Sequence, residues 1–117
     1  MDPIIHIIPR GVWERAQREG IYRGDTFEAE GFIHFSTPTQ VEQVANARFR
    51  GHTGLQLLIV DPARLRAELR YEPPYESDQS GALFPHLYGP LNLDAVIDVI
   101  DFEPNADGSF TLPEALR

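Results

Sequence analysis

Histidines are the side chains in this sequence best suited to acid–base, metal or hydrogen-bond chemistry, because cysteine is absent. Three of the four, His6, His34 and His86, lie in segments rich in aromatic and β-branched residues, which predicts strands. Side chains alternate across a strand, so His34 shares a face with Ser36, and His86 with Tyr88. If the strands are neighbours, the imidazoles, a hydroxyl and a phenol meet in one cleft. An imidazole half-buried there needs hydrogen-bond partners, and its pKa is easily displaced.

Two other interpretations of these histidines stay open. Each can be a core residue whose ring is satisfied by a backbone carbonyl. Converging imidazoles can also hold zinc or iron, although the sequence contains no HxH, HxxxH or HExxH spacing that favours a metal site. The metal-dependent enzyme is therefore the weakest hypothesis, and no metal ligand is assigned. His52, in the turn between Gly51 and Gly54, is expected to be exposed.

The charge distribution disfavours two classes of partner. The net charge is −8, and all ten cationic side chains are arginines. Residues 1–70 are neutral, whereas residues 71–117 hold Arg117 alone against nine carboxylates. Nucleic acids and anionic membranes repel so acidic a protein, so neither is an expected partner. Without lysine there is no Schiff-base or P-loop chemistry, and a bound phosphate would need an arginine or backbone N–H groups.

Length and composition predict an ordinary globular protein. The chain has 117 residues, of which 42% are hydrophobic, and this predicts one domain over residues 1–117. No apolar run approaches the roughly 20 residues that a membrane span needs. The start, MDPIIHIIPR, has neither the basic flank nor the cleavage site of a signal peptide. We therefore expect a cytoplasmic protein.

Two helices and five to seven strands are predicted to position the candidate side chains. Residues 10–19 predict a helix that ends at Gly20, and its Trp13 is expected either to pack in the core or to lie over a ligand ring. Thr37 and Gln40 predict a capping box, with Pro38 at the first helical position, and so the start of the second helix. Further strands are predicted at residues 4–8, 32–35, 55–60, 69–72, 95–102 and 110–112, with a polar loop or lid at 73–83. Because the strands group rather than alternate with the helices, the fold class is α+β.

Several sequence blocks occur in an order and spacing that indicate a family. They are IIHI near the start, EGFIHFS at 30–36, RYEP at 70–73 and FPHLYGPL at 84–91. With these blocks the chain resembles, from end to end, the bacterial and plant family catalogued as domain of unknown function nine hundred and fifty-two. Phe35 stands where that family often has cysteine, so a thiol at this position is not essential.

The resemblance implies a fold similar to that of the ADP-ribosyltransferases, a pair of small, mostly antiparallel sheets around a cleft that holds NAD. Carried over to this sequence, it implies that His6 contacts the nicotinamide ribose. It further implies that His34 and Ser36 line the cleft from the next strand and that Tyr88 stacks on the nicotinamide. Glu72 is the candidate catalytic carboxylate.

Three further residues complete the expected ligand site: His86, Trp13 and Arg10. Arg10, Arg15 and Arg23 are the alternative partners for a diphosphate. Cleavage of the nicotinamide–ribose bond develops positive charge, which a carboxylate stabilises in the transition state. The first functional hypothesis is therefore an ADP-ribosyltransferase-like enzyme that takes NAD as substrate, or a relative that binds such a nucleotide. The alternative is a non-catalytic module of the same fold that binds a small ligand or a partner.

Overall fold

A computed structural model describes residues 2–24 and 30–116 of the chain. These residues confirm the α+β class, with two α-helices and eight β-strands. In chain order the elements are β1 (Ile4–Pro9), α1 (Arg10–Glu19), β2 (Ile21–Tyr22), β3 (Ile33–His34), α2 (Val41–Arg48), β4 (Leu55–Val60), β5 (Glu68–Glu72), β6 (Phe84–Tyr88), β7 (Leu91–Asn92) and β8 (Val96–Phe102). Short 3-10 turns lie at Pro62–Arg64, Leu93–Ala95 and Glu114–Leu116.

The described strands form three small sheets rather than the expected pair. Sheet A has the order β1-β4-β8, sheet B pairs β2 with β7, and sheet C has the order β3-β6-β5. Every one of these pairings is antiparallel. The additional sheet arises because the Gly89-Pro90 turn separates β7 from β6, and proline lacks the N–H that a continued ladder would use.

The central strand of sheet A, β4, is buried on both faces, as its mostly apolar sequence predicts. Leu58 and Val60 belong to one hydrophobic cluster, which also contains Trp13. The alternate residues Leu57 and Ile59 belong to a second cluster on the opposite face. Side chains of one strand therefore supply both halves of the core, which makes sheet A the structural centre of the described chain.

The first helix matches its prediction, whereas the second begins later than expected. Gly20 ends α1 with φ 80°, and its N–H donates to the Ala16 carbonyl at 2.8 Å. Helix α2 begins at Val41. The Thr37 hydroxyl pairs with Thr39 at 3.1 Å, so it does not cap the helix. Half of the predicted capping box does form, because the Gln40 side-chain oxygen accepts from the Thr37 N–H at 3.0 Å.

The strand predicted at residues 110–112 is absent from the described structure. Phe110 bonds a side chain instead of a neighbouring strand: its N–H donates to Asn46 Oδ1 at 2.7 Å, and its carbonyl accepts from Asn46 Nδ2 at 3.0 Å. Its ring stacks on Phe102 with centroids 4.7 Å apart. The segment therefore closes the second cluster without extending a sheet.

Sheets A and C are joined through their backbones. Ile5 of β1 and Ser36, just beyond β3, exchange two hydrogen bonds of 2.8 Å. This bridge fixes where β1 lies relative to the histidine-bearing strands. No helix in the described part of the chain is both long enough and apolar enough to cross a membrane.

Candidate functional site

One face of sheet C gathers most of the candidate residues. The register sets His34 opposite His86, and His86 opposite Arg70 on β5. Residues two positions away lie on the same face, which thus presents Phe32, His34, Ser36, Phe84, His86, Tyr88, Glu68, Arg70 and Glu72. The opposite face carries Ile33 and Leu87, both buried in the core. The alternation predicted from the sequence therefore matches the register for His34, His86 and Tyr88.

Glu72 is hydrogen-bonded to two other candidate residues of this face. Its Oε1 accepts from the Tyr88 hydroxyl at 2.5 Å and lies 2.9 Å from Nδ1 of His86. The hydrogen bond from Tyr88, followed by that from His86, lowers the pKa of the Glu72 carboxyl. The same contact with Glu72 raises the pKa of Tyr88. At neutral pH Glu72 is therefore an anion that accepts from both neighbours.

His86 is the most deeply buried titratable residue of the site. Its side chain is 2% exposed, and burial lowers its pKa despite the hydrogen bond to Glu72. A neutral imidazole carries one proton, and ionised Glu72 requires that proton on Nδ1. Nε2 therefore presents a lone pair, and this buried atom has no hydrogen-bond partner.

The surroundings of His86 define where Nε2 points. Phe32 stacks on the ring at 4.3 Å, and His34 meets it edge-on at 5.1 Å. A cavity of about 620 Å³ is lined by His86 and Glu72. A larger cavity of about 880 Å³ is lined by His86 but not by Glu72. His86 thus lies between the two cavities, with Nδ1 held by Glu72 and Nε2 shielded from solvent.

His34 is more accessible than His86. Its side chain is 33% exposed, and Nε2 lies 3.0 Å from Glu30 Oε1. The ring also meets Phe32 edge-on at 4.9 Å. Glu30 and Phe32 were not among the candidates from the sequence. Glu30 precedes His34 by four residues and Phe32 precedes it by two, and this even spacing was the signal that could have found them.

The His6 ring does not join the His34–His86 pair; it extends from β1 of sheet A and contacts both sheet B and the backbone of sheet C. Its Nδ1 is 2.6 Å from the His34 carbonyl and its Nε2 is 2.7 Å from the Tyr22 hydroxyl. A carbonyl only accepts, so Nδ1 donates to it and the Tyr22 hydroxyl donates to Nε2. Both ring nitrogens are engaged, which agrees with the interpretation of a structural histidine. The residue nonetheless lines the larger cavity together with Ser36.

Two expected ligand contacts lie outside both cavities. Trp13 is 7% exposed and packs in the first hydrophobic cluster, and Arg10 pairs with Asp101 on β8 at 3.1 Å. The cation that does line the larger cavity is Arg48, in the last turn of α2. Sequence reasoning missed Arg48 because nothing local distinguishes it from Arg18 in the last turn of α1.

A metal site has no support in the described part of the chain. Within residues 2–24 and 30–116, no three histidine, aspartate or glutamate side chains lie close enough together to hold a metal ion. His34 and His86 are neighbours, but each ring faces its own carboxylate, Glu30 or Glu72. The site is therefore organised for hydrogen bonding.

Comparison with known proteins identifies relatives of the whole chain. Residues 7–99 match the profile of a protein family of unknown function, DUF952. The X-ray structure of CC0527 from Caulobacter crescentus has 35% identity and a TM-score of 0.85, and the alignment covers 97% of each chain. The solution NMR structure of CC0527 gives 33% identity and a TM-score of 0.75, covering 98% of this chain and 97% of that one. No curated protein matches.

Proposed function

We propose that this chain, which belongs to the DUF952 family, binds a small molecule in the larger cavity and holds it through Nε2 of His86. The buried, unpartnered Nε2 is the observation that carries the proposal. An unmet buried polar atom costs about 1–3 kcal/mol, and native structures keep few of them. A ligand that donates a hydrogen bond from an N–H or O–H to this nitrogen would explain why the protein keeps an unpaired polar atom here.

The residues around His86 prepare it for that role. Glu72 holds the proton on Nδ1 and so leaves the lone pair on Nε2. The stacked ring of Phe32 fixes the plane of the imidazole. Since Nε2 is itself shielded from solvent, binding requires a neighbouring side chain to move. His34 contacts the imidazole directly, lines the larger cavity and is only partly buried, which makes it the candidate for this movement.

The binding proposal is tested by NMR titration with nicotinamide, phenol and ADP-ribose, each of which carries an N–H or O–H donor. We expect shift changes at Ser36, Phe84 and His86, and their loss in His86→Phe, which keeps a ring but removes both nitrogens. His52→Phe is the matched control, because His52 is exposed and lines neither cavity. Shift changes confined to other surfaces, or unaltered in His86→Phe, contradict the proposal.

Cleavage of NAD is the second candidate function, and the position of Glu72 favours it. Glu72 lines the smaller cavity together with the Phe32 and Tyr88 rings. In this proposal the nicotinamide lies against those rings, and the carboxylate stabilises the positive charge that develops on the ribose. His34 and Ser36 then contact the ribose, and His6 acts through its bond to the His34 carbonyl. Arg48, rather than Arg10, is the cation available to the phosphates.

Release of nicotinamide from NAD, followed by chromatography, tests the second candidate. We expect release by the parent chain and at least a hundredfold less by Glu72→Gln, since loss of one charge-stabilising group costs about that much. Glu14→Gln, on the exposed surface of α1, is the control. Equal release by the parent and Glu72→Gln would eliminate catalysis by Glu72 and leave the binding proposal intact.

A further inference from the structure

The larger cavity has chemically different ends, and their separation follows from the topology. At one end Ile5 pairs with Ser36, just before α2, and at the other Pro9 pairs with Leu55, just after α2. Helix α2 therefore runs beside β1. Four strand steps from Ile5 to Pro9 span about 13 Å, and eight helical residues span about 12 Å. The lining of the cavity extends over this whole distance, with His86 near its Ser36 end and Arg48 near its Pro9 end.

The end of the cavity near His86 carries a neutral imidazole and an acidic side chain, Asp78. Nε2 of His86 lacks a partner there, and the cavity wall is completed by the loop that carries Asp78. This loop is attached to the start of α2, since Gln40 Nε2 donates to the Leu83 carbonyl at 2.8 Å. The Asp78 carboxylate repels an anion from this end, whereas the lone pair of His86 attracts a hydrogen-bond donor.

The opposite end is cationic. Arg48 forms no ion pair within the described ranges, unlike Arg10, which pairs with Asp101. On a chain with a net charge of −8, the exposed guanidinium of Arg48 lies where it can attract a negative group into the cavity. Between the two ends the wall is largely apolar, with Ile5, Ile7 and Val44 among its residues.

We infer, on the basis of the proposed binding function, that the larger cavity takes an elongated, mainly apolar monoanion. Its negative group lies at Arg48, and an O–H or N–H at its other end donates to Nε2 of His86. The two ends thereby set the orientation of the molecule, and the apolar wall buries the chain between them.

Calorimetric titration with three matched probes tests this assignment. The probes are ω-hydroxydecanoate, decanoate, which lacks the terminal donor, and decanediol, which lacks the anion, each below its micelle concentration. We expect ω-hydroxydecanoate to bind about tenfold tighter than either of the others, which corresponds to about 1.4 kcal/mol for each lost contact. Arg48→Gln should weaken both acids about tenfold and leave decanediol unchanged. Arg18→Gln, in the corresponding turn of α1, should change nothing.

The outcomes separate this inference from the binding proposal. If decanediol equals ω-hydroxydecanoate and Arg48→Gln alters neither, the anion site is wrong, while a loss of binding in His86→Phe still supports the proposed function. If ω-hydroxydecanoate equals decanoate and His86→Phe alters neither, the donor contact fails, and the binding proposal fails with it. If none of the three probes binds, the inference of an elongated monoanion is wrong, and the binding proposal is still tested by the NMR titration. Should His86→Phe fail to fold, the nitrogen shift of Nε2 in the parent protein, followed during the titration, replaces it.

Discussion

Sheets A and C each have three strands but differ in what their two faces carry. Sheet A buries both faces of its central strand β4, which is apolar at five of its six positions. Sheet C buries one face, through Ile33 and Leu87, and places His34, His86 and Glu72 on the other. Because sheet A supplies both halves of the core, sheet C can keep polar groups on a whole face at little cost to folding.

The same contrast distinguishes two histidines that look alike in the sequence. His6, in sheet A, has both ring nitrogens engaged within 2.7 Å of a partner. His86, in sheet C, has one nitrogen on Glu72 and one without a partner. An imidazole with both nitrogens engaged contributes to stability, whereas one with an open lone pair remains available to a ligand.

Truncation in sheet A should have the largest effect on stability. Leu58 is fully buried in the first cluster, so Leu58→Ala should lower the free energy of unfolding by about 2–5 kcal/mol through lost burial and a cavity. Urea denaturation followed by circular dichroism measures it. Leu69→Ala, at a partly buried position of sheet C, should lower the free energy of unfolding by less. A larger loss in Leu69→Ala than in Leu58→Ala would contradict the distinction between the sheets.

Replacement of His6 should have the next largest effect. His6→Phe removes the donor to the His34 carbonyl and the acceptor for Tyr22. We expect a loss of about 1–3 kcal/mol in the free energy of unfolding, because buried polar groups lose a partner. The same denaturation experiment measures this loss. A variant as stable as the parent would show that His6 is not a structural histidine.

Replacement of His86 should have a smaller effect on stability than replacement of His6. His86→Phe loses the bond to Glu72 but also removes the unpartnered nitrogen. The two effects oppose each other, so the free energy of unfolding should stay within about 1 kcal/mol of the parent. Binding of ω-hydroxydecanoate should nevertheless weaken about tenfold, as expected for one lost contact. A destabilisation above that of His6→Phe would place His86 among the structural residues.

The smallest effect is a pH dependence that belongs to sheet C. Burial lowers the pKa of His86 from the ordinary value of 6.5, so below that pH the unfolded chain binds the proton more readily than the folded one. The contribution of neutral His86 is therefore complete above about pH 6.5 and is lost as the pH falls through the lower, folded pKa. The parent should lose stability relative to His86→Phe between about pH 7 and pH 5. A constant difference between the two proteins over that range would contradict the burial of a neutral imidazole.

Residue patterns predicted which side chains share a face of sheet C but not the contacts that those side chains make. Period-two alternation places His34, His86 and Tyr88 on one face, because alternation is a local property of extended backbone. The partners of those residues depend on register and tertiary contact, which no local pattern encodes. Glu72 was proposed through the family resemblance, and the structure places it against His86. The single-domain extent and the cytoplasmic location stay predictions.

Tertiary packing also decided which cation meets the cavity. Arg10 follows β1 directly and was the predicted phosphate partner, but β8 brings Asp101 beside it. Arg48 reaches the cavity because α2 runs along β1, an arrangement that depends on the Ile5–Ser36 bridge. Composition gives the number of arginines. Which of them forms an ion pair and which lines the cavity depends on tertiary packing.

The protonation of His86 tests the central claim most directly. Proton–nitrogen NMR of the imidazole at neutral pH should show a proton on Nδ1 and none on Nε2, because Glu72 accepts from Nδ1. Addition of ω-hydroxydecanoate should shift the Nε2 resonance in the direction of an accepted hydrogen bond. A proton on Nε2, or a charged imidazolium, would contradict the account, since the site would then have no lone pair to offer a ligand.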